Sequence, residues 1–305
     1  MKNEAVNGFY VYGETPRKEE EVLMTGNPKL DDFFSKFNGL VRNSAIFFTG
    51  TSGAGKTTMA VLLQGLLSGI KTAMYSREMW AGDVEQQCQN INVFHGNAYI
   101  ADSDSCPHFD DFMKNLDILK PEVTIIDSIQ VIAQEDYKDV PEADAIYEII
   151  KRVRNWNKVN GGVLFVIGHV TKDGVFRGDN TIKQMFDAHL EMIYTKKKNE
   201  RVLQWGGKNR KGDANKMLYY DFSPKGIEFY TATEWSVLKQ KTSFDDFVGK
   251  AVTDYLLTLK DKEGYASIAS ELKKLERQLN HSNMSQSEAL SVLIREIGTK
   301  LEQLK

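Results

Sequence analysis

The chain has few cysteines and no long apolar run. Its 305 residues include two cysteines, Cys88 and Cys106, which excludes a disulfide-stabilised scaffold and indicates a reducing compartment. No apolar run reaches the roughly 18 residues that a transmembrane helix needs. The N-terminus, from Met1 to Glu4, begins no apolar signal segment. We therefore expect a cytoplasmic protein with no membrane partner.

The chain also has little net charge, which limits how it could bind nucleic acid. Its formal net charge at pH 7 is −3. A nucleic-acid contact would need a local basic surface, because the net charge repels phosphate. The composition, 41% hydrophobic and 27% charged, is that of an ordinary globular protein. A chain of this length accommodates one large α/β domain and a smaller appendage.

One glycine-rich segment carries the clearest chemical signal. An apolar run, Ala45–Phe48, precedes it, and apolar residues at helical spacing, Met59–Leu63, follow it. This strand, loop and helix, with the pattern G-x-x-x-x-G-K-T, is typical of a P-loop, whose N–H groups, lysine and threonine bind phosphate and Mg²⁺. The alternative is a glycine-rich turn that matches by chance. The sequence predicts a nucleoside triphosphate site formed by Gly50, Thr51, Ser52, Gly53, Ala54, Gly55, Lys56, Thr57 and Thr58.

Strand-like and helix-like segments alternate from this loop to about residue 167. Short apolar strands separated by helices of about 10–15 residues predict βαβ units and a parallel sheet buried on both faces. After Ala188 the pattern changes to short strands with polar turns, which predicts antiparallel hairpins added to the sheet edge. These strands are Leu190–Tyr194, Arg201–Trp205, Met217–Phe222 and Gly226–Tyr230.

The composition divides the chain into three parts. We expect a flexible N-terminal arm over residues 1–20, an α/β domain over residues 21–230 and a helical C-terminal region over residues 231–305. The apolar stripes of the last region pack into a small helical bundle, or alternatively form a docking site for a partner protein.

Two carboxylates follow predicted strands and suit a triphosphate site. Asp127 ends the apolar run Val123–Ile126, where a P-loop protein needs a carboxylate to hold Mg²⁺ beside Thr57. Glu78 follows the strand after the P-loop helix, and parallel strands end at a common edge, so Glu78 can face the γ-phosphate. Spacing alone leaves open whether Glu78 acts on water or is a solvated residue at a helix start.

The joint order of several short motifs resembles the RecA-like ATPases, in particular the RadA/Sms branch and the DnaB-type helicases. Residues 126–130 (IDSIQ) and 167–174 (IGHVTKDG) resemble RadA segments, and residues 208–210 (KNR) resemble its Lys-Asn-Arg motif. Residues 75–79 (YSREM) are closer to the DnaB version of the catalytic-glutamate segment. The resemblance covers residues 21–230 and implies a RecA-like fold with ATP and Mg²⁺ as cofactors.

The resemblance also implies roles for single residues. Glu78 would be the catalytic base, Lys56 would reach the phosphates, and His169 would act as a γ-phosphate sensor rather than as a core histidine. Lys208 and Arg210 would be trans-acting fingers that reach the ATP of a neighbouring subunit, which requires a homo-oligomer, either a hexameric ring or a filament. The alternative for these two residues is a solvated basic turn.

Two loops would line the axis of such an oligomer, at about residues 130–143 and 171–186. The first is acidic, whereas the second carries Lys172, Arg177 and Lys183, which suits a phosphate backbone. The alternative is a mobile basic surface loop. A basic run at residues 196–198 is interpreted as a solvated hairpin tip.

The chain departs from these families outside the core. It has no C-x-x-C pair for the RadA zinc module, and its tail is too short for the Lon-like domain of RadA. The resemblance implies an oligomeric DNA motor, helicase-like in its translocation on or remodelling of single-stranded DNA. Its C-terminal helices would contact a replication or recombination protein. Two alternatives are a RadA-like recombination or branch-migration ATPase and a KaiC-like nucleotide switch acting on proteins.

Overall fold

The computed structural model describes residues 19–51, 53–91, 93, 96–169, 180–195, 200–223 and 226–239. The chain divides into two compact units, Met1–Ala232 and Thr233–Lys305. Most of the predicted arm and of the predicted helical region lies outside the described residues. Of the second unit, the structure describes residues 233–239, which belong to a helix over residues 232–239. The predicted domain bounds therefore stay predictions.

The first unit alternates strands and helices over most of its length. The helices are α1 Pro28–Phe34, α2 Lys56–Leu66, α3 Ala81–Asn90, α4 Phe109–Leu119, α5 Ile129–Asp136, α6 Glu142–Asn160 and α7 Asn180–Gln184. The strands are β1 Val22–Leu23, β2 Leu40–Val41, β3 Ser44–Gly50, β4 Thr72–Ser76, β5 Ala98–Ala101, β6 Val123–Asp127, β7 Val163–His169, β8 Ala188–Thr195, β9 Glu200–Asn209, β10 Met217–Ser223 and β11 Gly226–Tyr230.

Nine strands form one mixed sheet in the order β11-β10-β9-β8-β3-β7-β6-β4-β5. The strands from β8 to β5 in this order pair in parallel, and β9, β10 and β11 continue the sheet in antiparallel pairs. The predicted α/β class with a parallel sheet and antiparallel edge strands is confirmed. β8 pairs in parallel with β3 on one side and antiparallel with β9 on the other, as expected for antiparallel strands added to a parallel sheet, so the change in pairing occurs at β8.

The sheet separates two hydrophobic cores, because the apolar side chains of its central strands point alternately to its two faces. Along β3, Ile46 and Phe48 pack in one core and Phe47 packs in the other, because successive side chains point to opposite faces. α2 packs into the first core, and α4, α5 and α6 pack into the second. All residues of β3, β4 and β6 are buried, so these strands form a rigid support for whatever their ends carry.

Four of the central strands end at one edge of the sheet. Gly50 of β3 pairs with His169 of β7, and Ser76 of β4 pairs with Asp127 of β6. Because the strands are parallel, their carboxyl ends meet there, which is where α/β sheets bind ligands. The segments predicted to bind the nucleotide therefore all lie at the carboxyl ends of the central strands.

The segment over residues 130–143 differs from the loop expected there. It begins within α5, because Ile129, Ile132 and Ala133 bury one helical face in the second core. Only residues 137–141, between α5 and α6, are free of helix. Among the residues that the structure describes, no helix combines the length and the apolar character needed to span a membrane.

Candidate active site at the carboxyl edge of the sheet

The glycine-rich segment turns tightly between β3 and α2. Gly53 and Gly55 have φ angles of 75° and 95°, in the left-handed region where only glycine is unstrained. Gly55 is the N-cap of α2, and a Cβ at Gly55 would lie 2.7 Å from the ring of Phe222. The loop therefore requires glycine there both for its backbone angle and for space. Ser52 lies outside the described residues.

Strands β8 and β10 hold this loop in place. The Thr51 amide donates to the Met192 carbonyl at 3.1 Å, and Thr51 Oγ1 accepts a hydrogen bond from the Tyr194 amide at 3.0 Å. The buried hydroxyl of Tyr220 donates to the Ala54 carbonyl at 2.6 Å. The loop is thus fixed by strands that lie more than a hundred residues further along the chain.

Lys56 points back into the loop at the start of α2. Its Nζ donates to the Gly50 carbonyl at 3.3 Å, and the residue is 9% exposed. Burial lowers the pKa of Lys56, and the nearby carboxylates of Glu78 and Asp127 partly oppose that shift. The ammonium lies between the loop carbonyls and two acidic side chains, which is the position of a group that reaches phosphate oxygens.

Asp127 lies at the end of β6 and is 1% exposed. Its Oδ2 accepts a hydrogen bond from Thr57 Oγ1 at 2.7 Å, whereas Oδ1 is buried with no hydrogen-bond partner among the described residues. Burial and, next, the charge of Glu78 raise the pKa of Asp127 to about 6. Hard oxygen ligands of this kind suit Mg²⁺. The pair of Thr57 and Asp127 therefore fits the predicted metal.

Glu78 and His169 meet at the same edge. Glu78 Oε1 contacts His169 Nε2, and Ser128 Oγ lies 3.1 Å from the same nitrogen. Burial raises the pKa of Glu78, but hydrogen bonds from His169 and Ser128 outweigh burial, so this pKa lies below its ordinary value. Glu78 is therefore an ionised carboxylate at neutral pH, able to accept a proton or to orient water.

Gln130 holds the backbone of His169, a role that the sequence did not reveal. Gln130 Nε2 donates to the His169 carbonyl at 3.3 Å, and its Oε1 accepts from the His169 amide at 3.1 Å. These contacts link the start of α5 to the end of β7. Gln130 and Ser128 both lie in the RadA-like segment after β6, and that position was the only available signal for them.

A cationic and aromatic wall lies beside the loop and was also missed. The guanidinium of Arg201 lies 4.6 Å from the ring centroid of Tyr194 and 5.1 Å from that of Phe222. Phe222 is the ring that packs against Gly55. Flat rings and guanidinium groups stack well on heterocycles, so this wall suits the base of a nucleotide.

The predicted fingers lie far from the P-loop of their own chain. Asn209 pairs with Ala188, and Ala188 pairs with Ile46. Ile46 precedes Gly50 by four residues, so Asn209 lies level with a point about 13 Å along the strand from Gly50. Lys208 and Arg210, which flank Asn209, therefore lie toward the opposite edge of the sheet from the other predicted catalytic residues.

Local contacts fix both predicted fingers. Lys208 Nζ donates to the carbonyls of Lys183 and Gln184 at 3.2 and 3.3 Å. Arg210 Nη1 lies 3.2 Å from Asp187 Oδ1, and the Arg210 side chain is 58% exposed.

Of the predicted DNA contacts, only Lys183 lies within the described residues. It belongs to α7, and its carbonyl accepts the Lys208 hydrogen bond. Lys172, Arg177 and the basic run at residues 196–198 lie outside the described part of the chain. The role of this segment stays a prediction.

Comparison with known proteins finds sequence relatives of the α/β unit. No protein-family model matches the chain. The DNA repair protein RadA of Halalkalibacterium halodurans is 25% identical over 221 residues, covering 70% of this chain and 48% of RadA. RadA of Haemophilus influenzae is 26% identical over 236 residues, covering 74% of this chain and 50% of RadA. The chain spans about half the length of the curated relatives it matches.

A solved structure shows the same fold. A KaiC-like protein of Pyrococcus horikoshii superposes with a TM-score of 0.58 and 16% identity, covering 70% of this chain and all of that protein. Together with the sequence relatives, it confirms the resemblance to RecA-like ATPases of the RadA branch.

Replacing Asp127 by Asn is expected to stabilise the protein in metal-free buffer. Because folding raises the pKa of Asp127 to about 6, against about 3.9 in an unfolded chain, ionising it costs the folded state about 3 kcal/mol above pH 6. The gain is therefore full at pH 8 and disappears as the pH falls from about 6 to about 4. Urea unfolding at pH 8 and pH 4 measures this difference.

Asp104→Asn is the matched control, because Asp104 is exposed. Its free energy of unfolding should change by less than about 0.5 kcal/mol at either pH. A less stable Asp127→Asn variant at pH 8 would contradict the electrostatic account of this site.

Proposed function

We propose that this chain, a RecA-like protein of the RadA branch, binds ATP with Mg²⁺ at Gly50–Thr58 and hydrolyses the γ-phosphate. One observation carries the proposal. The P-loop lysine, the Thr57–Asp127 pair and the ionised Glu78 converge at one edge of the sheet. These are the groups that phosphoryl transfer to water requires.

Each group then has a distinct role. Lys56 neutralises charge on the phosphate oxygens, and Thr57 and Asp127 would hold Mg²⁺, which would supply positive charge for the transferred phosphoryl group. Glu78 orients the attacking water and accepts its proton, since its lowered pKa keeps it ionised. His169 contacts Glu78 and ends β7, so it reports the state of this site to the segment that follows.

The energy of hydrolysis, we propose, drives helicase-like movement on single-stranded DNA. Sequence relatives named DNA repair protein RadA support a DNA-processing role. In the sequence, the basic residues Lys172, Arg177 and Lys183 follow the strand that His169 ends, and positive charge of this kind suits a phosphate backbone.

Single-stranded DNA is expected to increase the ATPase rate by about fivefold or more, a typical size for coupling between two sites. A Lys172→Ala and Arg177→Ala double variant should weaken DNA binding. It should also flatten the slope of log K against log salt by about 1.4, since each lost contact to single strands contributes about 0.7. Steady-state ATP turnover and fluorescence anisotropy across a salt series measure both effects.

The matched control is Lys196→Ala with Lys197→Ala, which removes the same charge from the predicted hairpin tip and should leave the slope unchanged. An ATPase rate that single-stranded DNA does not change, in wild type and in both double variants, would contradict the motor. That result would favour the nucleotide switch.

We further propose that ATP is bound between subunits of a hexameric ring or a filament. Lys208 and Arg210 flank Asn209, which lies level with Ile46 in the sheet. Four residues of strand, or about 13 Å, separate Ile46 from Gly50 of the P-loop in the same chain. A neighbouring copy could present Lys208 and Arg210 to that loop, where an arginine stabilises transition-state charge.

Mixing two inactive variants tests this arrangement. Arg210→Ala alone should lower kcat by about 10³-fold, and Lys56→Ala should abolish turnover. In an equal mixture about a quarter of the sites combine an intact loop with an intact finger, so about a quarter of the wild-type rate should return. A mixture no faster than its separate components would contradict the shared site.

A further inference from the structure

Arg77 immediately precedes Glu78, and its side chain lies inside the protein. Only 6% of the side chain is exposed. A buried guanidinium must have its five N–H donors satisfied, because an unpaired buried charge is costly. The contacts of Arg77 show which groups accept hydrogen bonds from these donors.

One side of the guanidinium binds the end of α5. Nε donates to Glu135 Oε2 at 2.9 Å, and Nη2 also contacts this carboxylate. Nη2 lies 3.2 Å from Asp136 Oδ1, and only 6% of the Asp136 side chain is exposed. The second oxygen of Asp136 accepts the Phe109 amide at the start of α4. Arg77 therefore ties its own turn to the junction of two helices.

The other side binds the end of β4 and the segment before α4. Nη1 donates to Tyr75 Oη at 2.9 Å and to the carbonyls of Pro107 and Cys106 at 2.8 and 3.4 Å. Tyr75 is fully buried and stacks on Phe112, with ring centroids 4.5 Å apart. The guanidinium is thus enclosed by groups that cannot move independently of the second core.

The backbone around Glu78 is fixed at two further points. The Arg77 amide donates to the Asp127 carbonyl at 2.7 Å. Ser76 Oγ accepts from the Met79 amide at 3.2 Å and donates to the Met79 carbonyl at 3.0 Å. Glu78 itself hydrogen-bonds to Ser128, the N-cap of α5, whereas among the described contacts only the Arg77 side chain connects this turn to the C-terminal end of that helix.

We propose that Arg77 is the positioning residue for Glu78 and couples it to the C-terminal end of α5. The proposal rests on hydrolysis by Glu78. α5 begins at Ile129, two residues after Asp127, and ends at Asp136, so a shift of α5 moves the Glu78 turn through this guanidinium. Lysine cannot replace it, because only the planar fork of arginine binds Glu135, Asp136 and Tyr75 at once.

The test compares Arg77 variants with a matched arginine. Arg152 is an α6 residue that also binds a carboxylate, Asp110, and a tyrosine hydroxyl, that of Tyr137, but no described contact joins it to the Glu78 turn. Arg77→Ala should lower kcat by about 100-fold, the size expected for a small misplacement of a catalytic group. The Kd for ATP should stay within about twofold of wild type, since Glu78, the misplaced group, contributes mainly to stabilising the transition state.

The kcat of two further variants and the rate of hydrogen exchange also distinguish a positioning role for Arg77 from a role in stability. Arg77→Lys should fall between wild type and Arg77→Ala, whereas Arg152→Ala should keep kcat within about twofold of wild type because it acts only on stability. Hydrogen exchange at residues 76–79 should speed up in Arg77→Ala and not in Arg152→Ala, because the first frees the turn.

Equal kcat values for Arg77→Ala and Arg152→Ala, per folded protein, would overturn the proposal. Where Arg77→Ala does not fold, Glu135→Gln decides, because it removes one of the two α5 charges that bind Arg77 and leaves the arginine in place. It should lower kcat by about fivefold, as a lost positioning contact of about 1 kcal/mol would, and an unchanged kcat overturns coupling through α5. A wild-type protein without ATPase activity would instead contradict the proposed function.

Discussion

The buried carboxylate of Asp127, with the charge of Glu78 beside it, constrains the groups around it at the carboxyl edge of the sheet. Asp127 is almost completely buried, its Oδ1 has no hydrogen-bond partner within the part of the chain that the structure describes, and Glu78 lies close enough to raise its pKa. Such an arrangement costs folding free energy unless positive charge is brought to it. Lys56 lies close to both carboxylates and supplies part of that charge. Under the proposed function, Mg²⁺ held by Thr57 and Asp127 would supply the rest.

The rest of the fold holds this edge rigid. β3, β6 and β7 are buried between two cores and place Gly50, Asp127 and His169 at their ends. Strands β8 and β10 support the same site directly, since Met192 and Tyr220 hydrogen-bond to the Thr51 amide and the Ala54 carbonyl of the P-loop. Preorganised groups need little reorganisation during reaction. The edge strands are therefore part of the site rather than an appendage to the sheet.

Local sequence predicted the parts of this site that depend on neighbouring residues. The P-loop and Asp127 follow from strand, turn and spacing rules, and parallel strands bring Glu78 to them. The roles of Gln130, Tyr220 and Arg77 could not be predicted, because their partners lie tens to hundreds of residues away. The prediction of a loop after β6 was wrong for a similar reason. Burial of Ile132 against the second core makes the first part of that segment helical.

The central claim is that Glu78 performs hydrolysis at a site whose binding groups are separate from it. The most direct measurement compares nucleotide affinity and single-turnover hydrolysis in Glu78→Gln and wild type. The account predicts a Kd for ATP with Mg²⁺ within about threefold of wild type and a hydrolysis rate about 10³-fold lower, as for loss of a general base. A rate equal to that of wild type would contradict the account.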